Sequence, residues 1–184
     1  MTALGLQPGS LVVLIGAAGS GKSTLAARHF SSAEVLASDD YRAAVSGDAA
    51  DQSVTDEAFD RLHADLERRM AAGQLTVIDA TNVQGWARRR LLAAAARHRR
   101  PAVALALALP LEISLARNAA RADRRVPPSA VRRQDRFLRA SLPRLGEEGY
   151  DAVVVLNTPD QVERFEVRRI PGKTNVPKER HPTL

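Results

Sequence analysis

Short apolar runs alternate along the chain with stretches of helical period. Leu11-Val-Val-Leu-Ile15 is a predicted strand, followed by a helix over about residues 22–30 and a short second strand at 35–37. Residues 55–72 read as a helix. Asp56 and Glu57 fall in its first turn and Arg68 and Arg69 near its last, charges that complement the helix dipole, and Gly73 closes it. A third strand follows at 75–79, a helix at 84–100 closed by Pro101, and a fourth strand at 102–109. Helices at 111–120 and 129–141 flank an arginine-rich connector, 121–128, and a fifth strand covers 152–156. No strand alternates apolar with polar positions, so both faces of each are buried. That pattern predicts an α/β fold, a three-layer α/β/α sandwich with a mainly parallel five-stranded sheet. The folded unit is expected over residues 1–170. From Pro171 periodicity is lost, and 171–184 reads as a flexible tail or linker.

Composition narrows the class without deciding the function. The 184 residues are 45% hydrophobic and 26% charged and include no cysteine, which describes one domain built without disulfides or thiolate metal sites. The longest apolar run, 102–109, is far short of the ~20 residues that span a bilayer, and the N-terminus lacks a basic segment followed by an apolar one. A cytoplasmic protein with no membrane partner is expected. The net charge of +6 is unevenly spread: residues 88–144 carry 15 basic and 3 acidic groups, whereas 1–87 carry 6 and 11. A basic third suits a polyanionic partner such as nucleic acid, and arginines on solvated helix faces are the plainer alternative.

The chemistry starts at Gly16-Ala-Ala-Gly-Ser-Gly-Lys-Ser-Thr24, which fits G-x-x-x-x-G-K-[ST] between a strand and a helix. Gly16, Gly19 and Gly21 let the backbone turn so that N–H groups, including those of Ser20 and Thr24, face a β-phosphate at the positive end of the helix. This is a P-loop NTPase signature, and it implies a nucleoside triphosphate, ATP or another NTP. Lys22 is one of three lysines in the chain and the only one before the tail, against 24 arginines. A compact ammonium fits between the β- and γ-phosphates where a forked guanidinium does not. Ser23 is expected to place its hydroxyl on Mg²⁺, with the carboxylate of Asp79, at the end of the third strand, holding the ion directly or through water; a turn former or helix cap is the alternative for Asp79.

A P-loop alone does not distinguish a kinase from a switch. The second strand runs into Ser38-Asp-Asp-Tyr-Arg42 beside the P-loop, where Asp39 could take the proton of an attacking hydroxyl and Arg42 could hold the acceptor's phosphate. Helix capping by Asp39 or Asp40 is the alternative. Arg117, Arg121 and Arg124 form a single stripe if the helix carrying Arg117 continues, and with the connector ending in Pro128 they read as a helical lid over the nucleotide. Arg132, Arg136 and Arg139 repeat that spacing, divided between a solvated face and a contact to an acceptor backbone. The four histidines show no metal-ligand spacing. With aromatics at 4%, recognition of a strand terminus and backbone is expected over recognition of bases.

Taken together, the P-loop block, Ser38-Asp39-x-x-Arg42, Asp51-Gln-Ser-Val-Thr55, Leu75-Thr-Val-Ile-Asp-Ala-Thr-Asn82 and Arg117-Asn-x-x-Arg-x-Asp-Arg124 resemble the polynucleotide 5′-hydroxyl kinases. The likeness is greatest to the kinase module that begins bacterial polynucleotide kinase-phosphatase RNA repair enzymes, over about residues 10–157. It implies Mg²⁺-dependent transfer of the γ-phosphoryl group of an NTP to the 5′-OH end of RNA or DNA, by either a free-standing kinase or a module of an enzyme that continues into C-terminal phosphatase and ligase-like regions. It also implies Asp39 as general base, Arg42 on the terminal phosphodiester, and Lys22, Arg117 and Arg124 around the donor phosphates. Two other readings share the cradle. One is a small-molecule P-loop kinase of the shikimate, gluconate or antibiotic phosphotransferase kind, and the other is a nucleotide-dependent RNA-binding switch.

Overall fold

The computed structural model describes residues 3–48, 51, 53–122 and 125–171. Five parallel strands make the central sheet: β2 (Leu11–Ile15), β3 (Val35–Ala37), β4 (Thr76–Asp79), β5 (Ala102–Leu107) and β6 (Ala152–Leu156), in the order β3-β4-β2-β5-β6. The three-layer α/β/α architecture expected from the apolar runs is the one observed. The first strand, β1 (Ala3–Leu6), pairs in parallel with β7 (Glu166–Arg169) in a separate two-stranded sheet that the sequence pattern did not reveal. Both strands are short, and three of the four residues of β7 are charged, so neither stands out from loop.

The burial pattern of β2 explains the layers. All five of its residues are buried, and they divide by parity. Leu11, Val13 and Ile15 join a core with α3 (Thr55–Ala71), through Leu62, Leu66 and Met70, and with α4 (Gly85–Arg97), through Leu91, Ala94 and Ala95. Val12 and Leu14 face the opposite core, with Leu25, Ala26 and Phe30 in and beside α1 (Lys22–His29), and with Leu4, Leu6 and Phe165. Period-two side-chain alternation in a strand that is apolar at every position thus supplies two hydrophobic layers at once.

Helix limits follow the expected stops. Between β3 and α3 lies α2 (Ser38–Ser46), which ends at Gly47 in the left-handed region, φ 80°. For α4 the end comes at Arg97, earlier than expected, because His98 and Arg99 leave helical geometry and Arg99 takes φ 53°. Beyond β5 stand α5 (Leu111–Ala120), α6 (Pro128–Ser141) and the short α7 (Pro159–Glu163). Central β2 connects through α1 to β3 on one side, and β4 connects through α4 to β5 on the other, which puts the switch in strand order beside the carboxyl end of β2. Open α/β sheets bind ligands at that position. Among the described residues no helix is long and apolar enough to cross a membrane.

Candidate active site

The loop between β2 and α1 is folded as its glycines require. Gly19 has φ 81° and Gly21 φ 100°, conformations that an L side chain rarely adopts. A Cβ on Gly19 would also lie 2.2 Å from the Ser114 carbonyl oxygen, so α5 packs against the loop too closely for any side chain. Gly16 N–H donates to the Thr81 carbonyl (2.9 Å), tying the loop to the segment after β4. Ala18 N–H donates to Gln134 Oε1 (2.9 Å), tying it to α6. Lys22 is buried, and its Nζ donates to the carbonyls of Gly16 (3.0 Å) and Ala17 (2.9 Å), which stretches the ammonium across the loop. The buried Ser20 hydroxyl has no hydrogen-bond partner among the described residues.

This loop forms one side of a cleft of about 1300 Å³ at the carboxyl end of the sheet. Gly19, Gly21, Lys22, Ser23, Thr24, Asp39, Arg42, Asp79 and Arg117 all line it, so the residues expected to hold the donor and those expected to receive the acceptor open onto one space. Gly16 and Ser20, in the same loop, are not among the residues that line the cleft. Arg124 lies outside the described residues, as does Gln52 of the 51–55 block and residues 172–184 of the expected tail.

Asp39 and Arg42 occupy successive turns of α2 and form an ion pair; Arg42 is buried, and the Asp39 carboxyl is about one-third exposed. The helix N-cap is Ala37, with Asp39 and Asp40 in its first turn. Neither aspartate is the cap, so the capping alternative fails at the N-cap position. A buried guanidinium beside a carboxylate favours its ionised form and holds its orientation. The next residue but one, Tyr41, donates its hydroxyl to Asp65 (2.6 Å); burial first, then this bond, raise the phenol pKa, and the bond lowers that of the carboxyl. This contact fixes α2 against α3.

Asp79 ends β4, nearly buried, and its carboxylate accepts no hydrogen bond and joins no ion pair with the described residues. A carboxylate in that state, with the Ser23 hydroxyl on the same cleft, is a fitting donor set for a hard cation that takes its remaining oxygens from phosphate and water. The described residues include no group of three or more histidine, cysteine or acidic side chains suited to holding a metal without a substrate.

The lid stripe was conditional on the Arg117 helix continuing past its expected end, and that condition is not met. The helix carrying Arg117 stops at Ala120, and Arg121 is already extended (φ −68°, ψ 134°), so Arg117 and Arg121 do not share a continuous helical stripe. Both still line the cleft. Arg117 Nη1 would meet a Cβ on Gly21 at 3.4 Å, which places that guanidinium against the loop. Asn118 ties down the connector: its Nδ2 donates to the Val126 carbonyl (2.7 Å), and Val126 N–H donates to its Oδ1 (3.1 Å). Arg132, Arg136 and Arg139 do not reach the cleft. Arg139 instead donates to Asp135 (2.9 Å) and to the Leu109 carbonyl (3.0 Å).

Three contributors were not legible in the sequence. Gln134 is one polar residue among several on an amphipathic helix. Arg88 stands in an arginine triplet, yet it alone is buried: it donates twice to Glu148, by Nε at 2.7 Å, and to the Asn82 carbonyl (2.8 Å). Asn82, at φ 48°, donates in turn to the Leu14 carbonyl (2.8 Å), so the Arg88–Glu148 pair secures the turn after Asp79. The third is Trp86, which lines the cleft and is 57% exposed.

A family model described as an AAA domain matches residues 11–141. The chain belongs to the AAA domain family. Curated protein sequences give no match. Among solved structures, this AAA domain is similar to a chain of the Pnkp1/Rnl/Hen1 RNA repair complex, with TM-score 0.65 and 22% identity, over 76% of this chain and 47% of that one. It therefore spans about half the length of that relative. It is also similar to shikimate kinase from Acinetobacter baumannii in complex with shikimate (TM-score 0.52, 20% identity, 85% and 89% covered). A gluconokinase from Sinorhizobium meliloti 1021 is a further match (TM-score 0.51, 16% identity, 85% and 87% covered). The P-loop kinase fold is established by these matches, and the resemblance read from the sequence blocks is met at the level of fold.

Proposed function

We propose that the protein transfers the γ-phosphoryl group of an NTP, ATP in the first instance, to the 5′-OH end of RNA or DNA. The observation that carries this reading is the single cleft shared by Lys22 and Asp39, with the Asp39–Arg42 pair in the wall beside the phosphate-binding loop. In the transfer, Asp39 accepts the proton of the 5′-hydroxyl as its oxygen bonds to the γ-phosphorus, and the bond to the bridging oxygen breaks with its electron pair leaving on the nucleoside diphosphate. Lys22 and Arg117 stabilise charge on the phosphates from the side of the loop. Arg42 orients Asp39 and faces the phosphodiester next to the acceptor hydroxyl. Ser23 and Asp79 would hold Mg²⁺, which supplies charge neutralisation between the β- and γ-phosphates when bound.

The basic third of the chain supports a polynucleotide over a small acceptor, and so does the similarity to a chain of an RNA repair complex. Kinases named for gluconate and shikimate share the fold, so the acceptor is decided by experiment. The protein is supplied with γ-labelled ATP, Mg²⁺ and an oligonucleotide ending in 5′-OH, beside the same oligonucleotide already 5′-phosphorylated. Label is expected on the first strand alone. Label on both, on neither, or on shikimate or gluconate offered in parallel would refute the reading.

A further inference from the structure

Tryptophan is highly buried on average, because no side chain offers more apolar surface. Trp86, the one tryptophan of the chain, stands 57% exposed in the first turn of α4. Among the described residues its ring joins no aromatic or cation contact. It lines the cleft together with Thr55 and Phe59 of α3, the helix that packs against both α2 and α4. The wall that carries Asp39 and Arg42 therefore also carries a flat, uncovered indole.

The surroundings of that ring are cationic. Arg89, three residues on and so adjacent on the helix surface, is exposed and forms no ion pair among the described residues. Its neighbours on the same helix are matched: Arg90 pairs with Asp60 (3.2 Å) and Arg97 with Glu67. An unmatched guanidinium one turn from an exposed aromatic ring is the combination that single-stranded nucleic acid uses, a π-face for a base and a cation for the phosphate behind it. A polyol acceptor has no planar group to lay on the indole and no second phosphate for Arg89.

We propose that Trp86 is the stacking platform for the base of the 5′-terminal nucleoside, and that the acceptor strand leaves the cleft along α4 over Arg89. This subsite rests on the polynucleotide kinase reading and adds to it a preference for an end that bears a base. Stacking tolerates every base, so the subsite selects for the presence of a base and leaves its identity unread.

Because Trp86 is the sole indole, its emission reports on the subsite directly. Titration with an oligonucleotide ending in 5′-OH is expected to quench it, and the same strand with an abasic 5′-terminal residue should quench it several-fold less. Trp86→Ala should raise the KM for the base-bearing strand about tenfold or more while kcat and ATP affinity hold, and Trp86→Phe should recover most of the loss. In the unaltered protein the abasic strand should show a matching rise in KM. Arg89→Gln should steepen neither effect but should lessen the salt dependence of strand binding. Equal KM values for base-bearing and abasic ends, or an unaltered KM in Trp86→Ala, would overturn the subsite and leave the kinase reading standing. Label on neither strand would overturn both.

Discussion

On the proposed reading, the donor side of the cleft is shaped by backbone, and the acceptor side by side chains. On the donor side, two glycines in left-handed geometry and N–H groups bonded to Thr81 and Gln134 define the loop, and α5 presses on Gly19 so closely that no Cβ fits. On the acceptor side, Asp39, Asp40, Arg42, Phe59 and Trp86 project from three helices that would be helices with many other residues in their place. Backbone geometry of this kind is the same whatever group receives the phosphoryl, which is why structures named as shikimate kinase and gluconokinase share this fold. Specificity has to be sought in the side-chain wall.

The largest effect that separates the two sides is expected from Asp39→Asn. The substitution keeps the shape and removes the basicity, so transfer should fall about 10²- to 10⁴-fold, the range general-base groups contribute. Nucleotide affinity should stay within a few-fold of the starting value, because in the proposed mechanism Asp39 acts on the acceptor hydroxyl while the loop and Lys22 hold the donor phosphates. Single-turnover kinetics beside equilibrium binding of an ATP analogue would check both. Loss of nucleotide binding in this variant would mean that the acceptor wall supports the donor loop and that the division between them is false.

Gly19→Ala probes the opposite side. Left-handed φ costs a non-glycine residue about 1–2 kcal/mol, and the Cβ would in addition overlap the Ser114 carbonyl at 2.2 Å. Nucleotide affinity should therefore fall by at least about tenfold, while binding of an oligonucleotide without nucleotide is retained. Calorimetric titration with each ligand separately distinguishes the two. An oligonucleotide affinity that falls in parallel would show that α5 transmits the strain across the cleft.

The same division explains how far the sequence could be read. Glycine spacing and continuous apolar runs are physical requirements of a loop and of a doubly buried strand, so the P-loop, the five sheet strands and most helices between them were legible to within a few residues, whereas α2 was not assigned and α4 and β5 end earlier than expected. Asp39 and Arg42 were singled out by their i, i+3 spacing at the end of a strand beside the P-loop, and the structure places both on the cleft as an ion pair. The Arg117–Arg121 stripe required the helix to run past Ala120, its expected end, and in a segment rich in arginine the spacing alone suggested a grouping that the extended Arg121 does not make. Arg88 was passed over for a similar reason: three consecutive arginines differ only in which one the fold buries, and its partner Glu148 lies 60 residues away. The outer pair of β1 and β7 was missed because each strand is four residues long and their pairing spans almost the whole chain.

The smallest effect concerns two histidines, one on each side of the sheet. His29 of α1 packs edge-on against Phe165, with ring centroids 5.6 Å apart, and its Nε2 is buried without a hydrogen-bond partner among the described residues. Burial holds its pKa below the ordinary 6.5, with the Arg28 charge acting in the same direction and Glu166 against it. His63 of α3 is lowered too, again chiefly by burial, then by Arg90, with Asp60 and Glu67 opposing. Both are thus neutral in the fold at a pH where the unfolded chain has begun to take up protons. Stability is full above about pH 7 and declines as pH falls through 6.5 toward the folded-state values, because the unfolded state binds more protons in that window. The depressed carboxyls of Asp65 and Glu67 weaken the fold only at lower pH, near and below their ordinary 3.8 and 4.5. His29→Gln and His63→Gln should each lose less in Tm between pH 7.5 and pH 5 than the unaltered chain does. If only the His29 variant is flattened, the acceptor-side helix already admits the charged imidazole, and α3 is the more open of the two layers around the cleft.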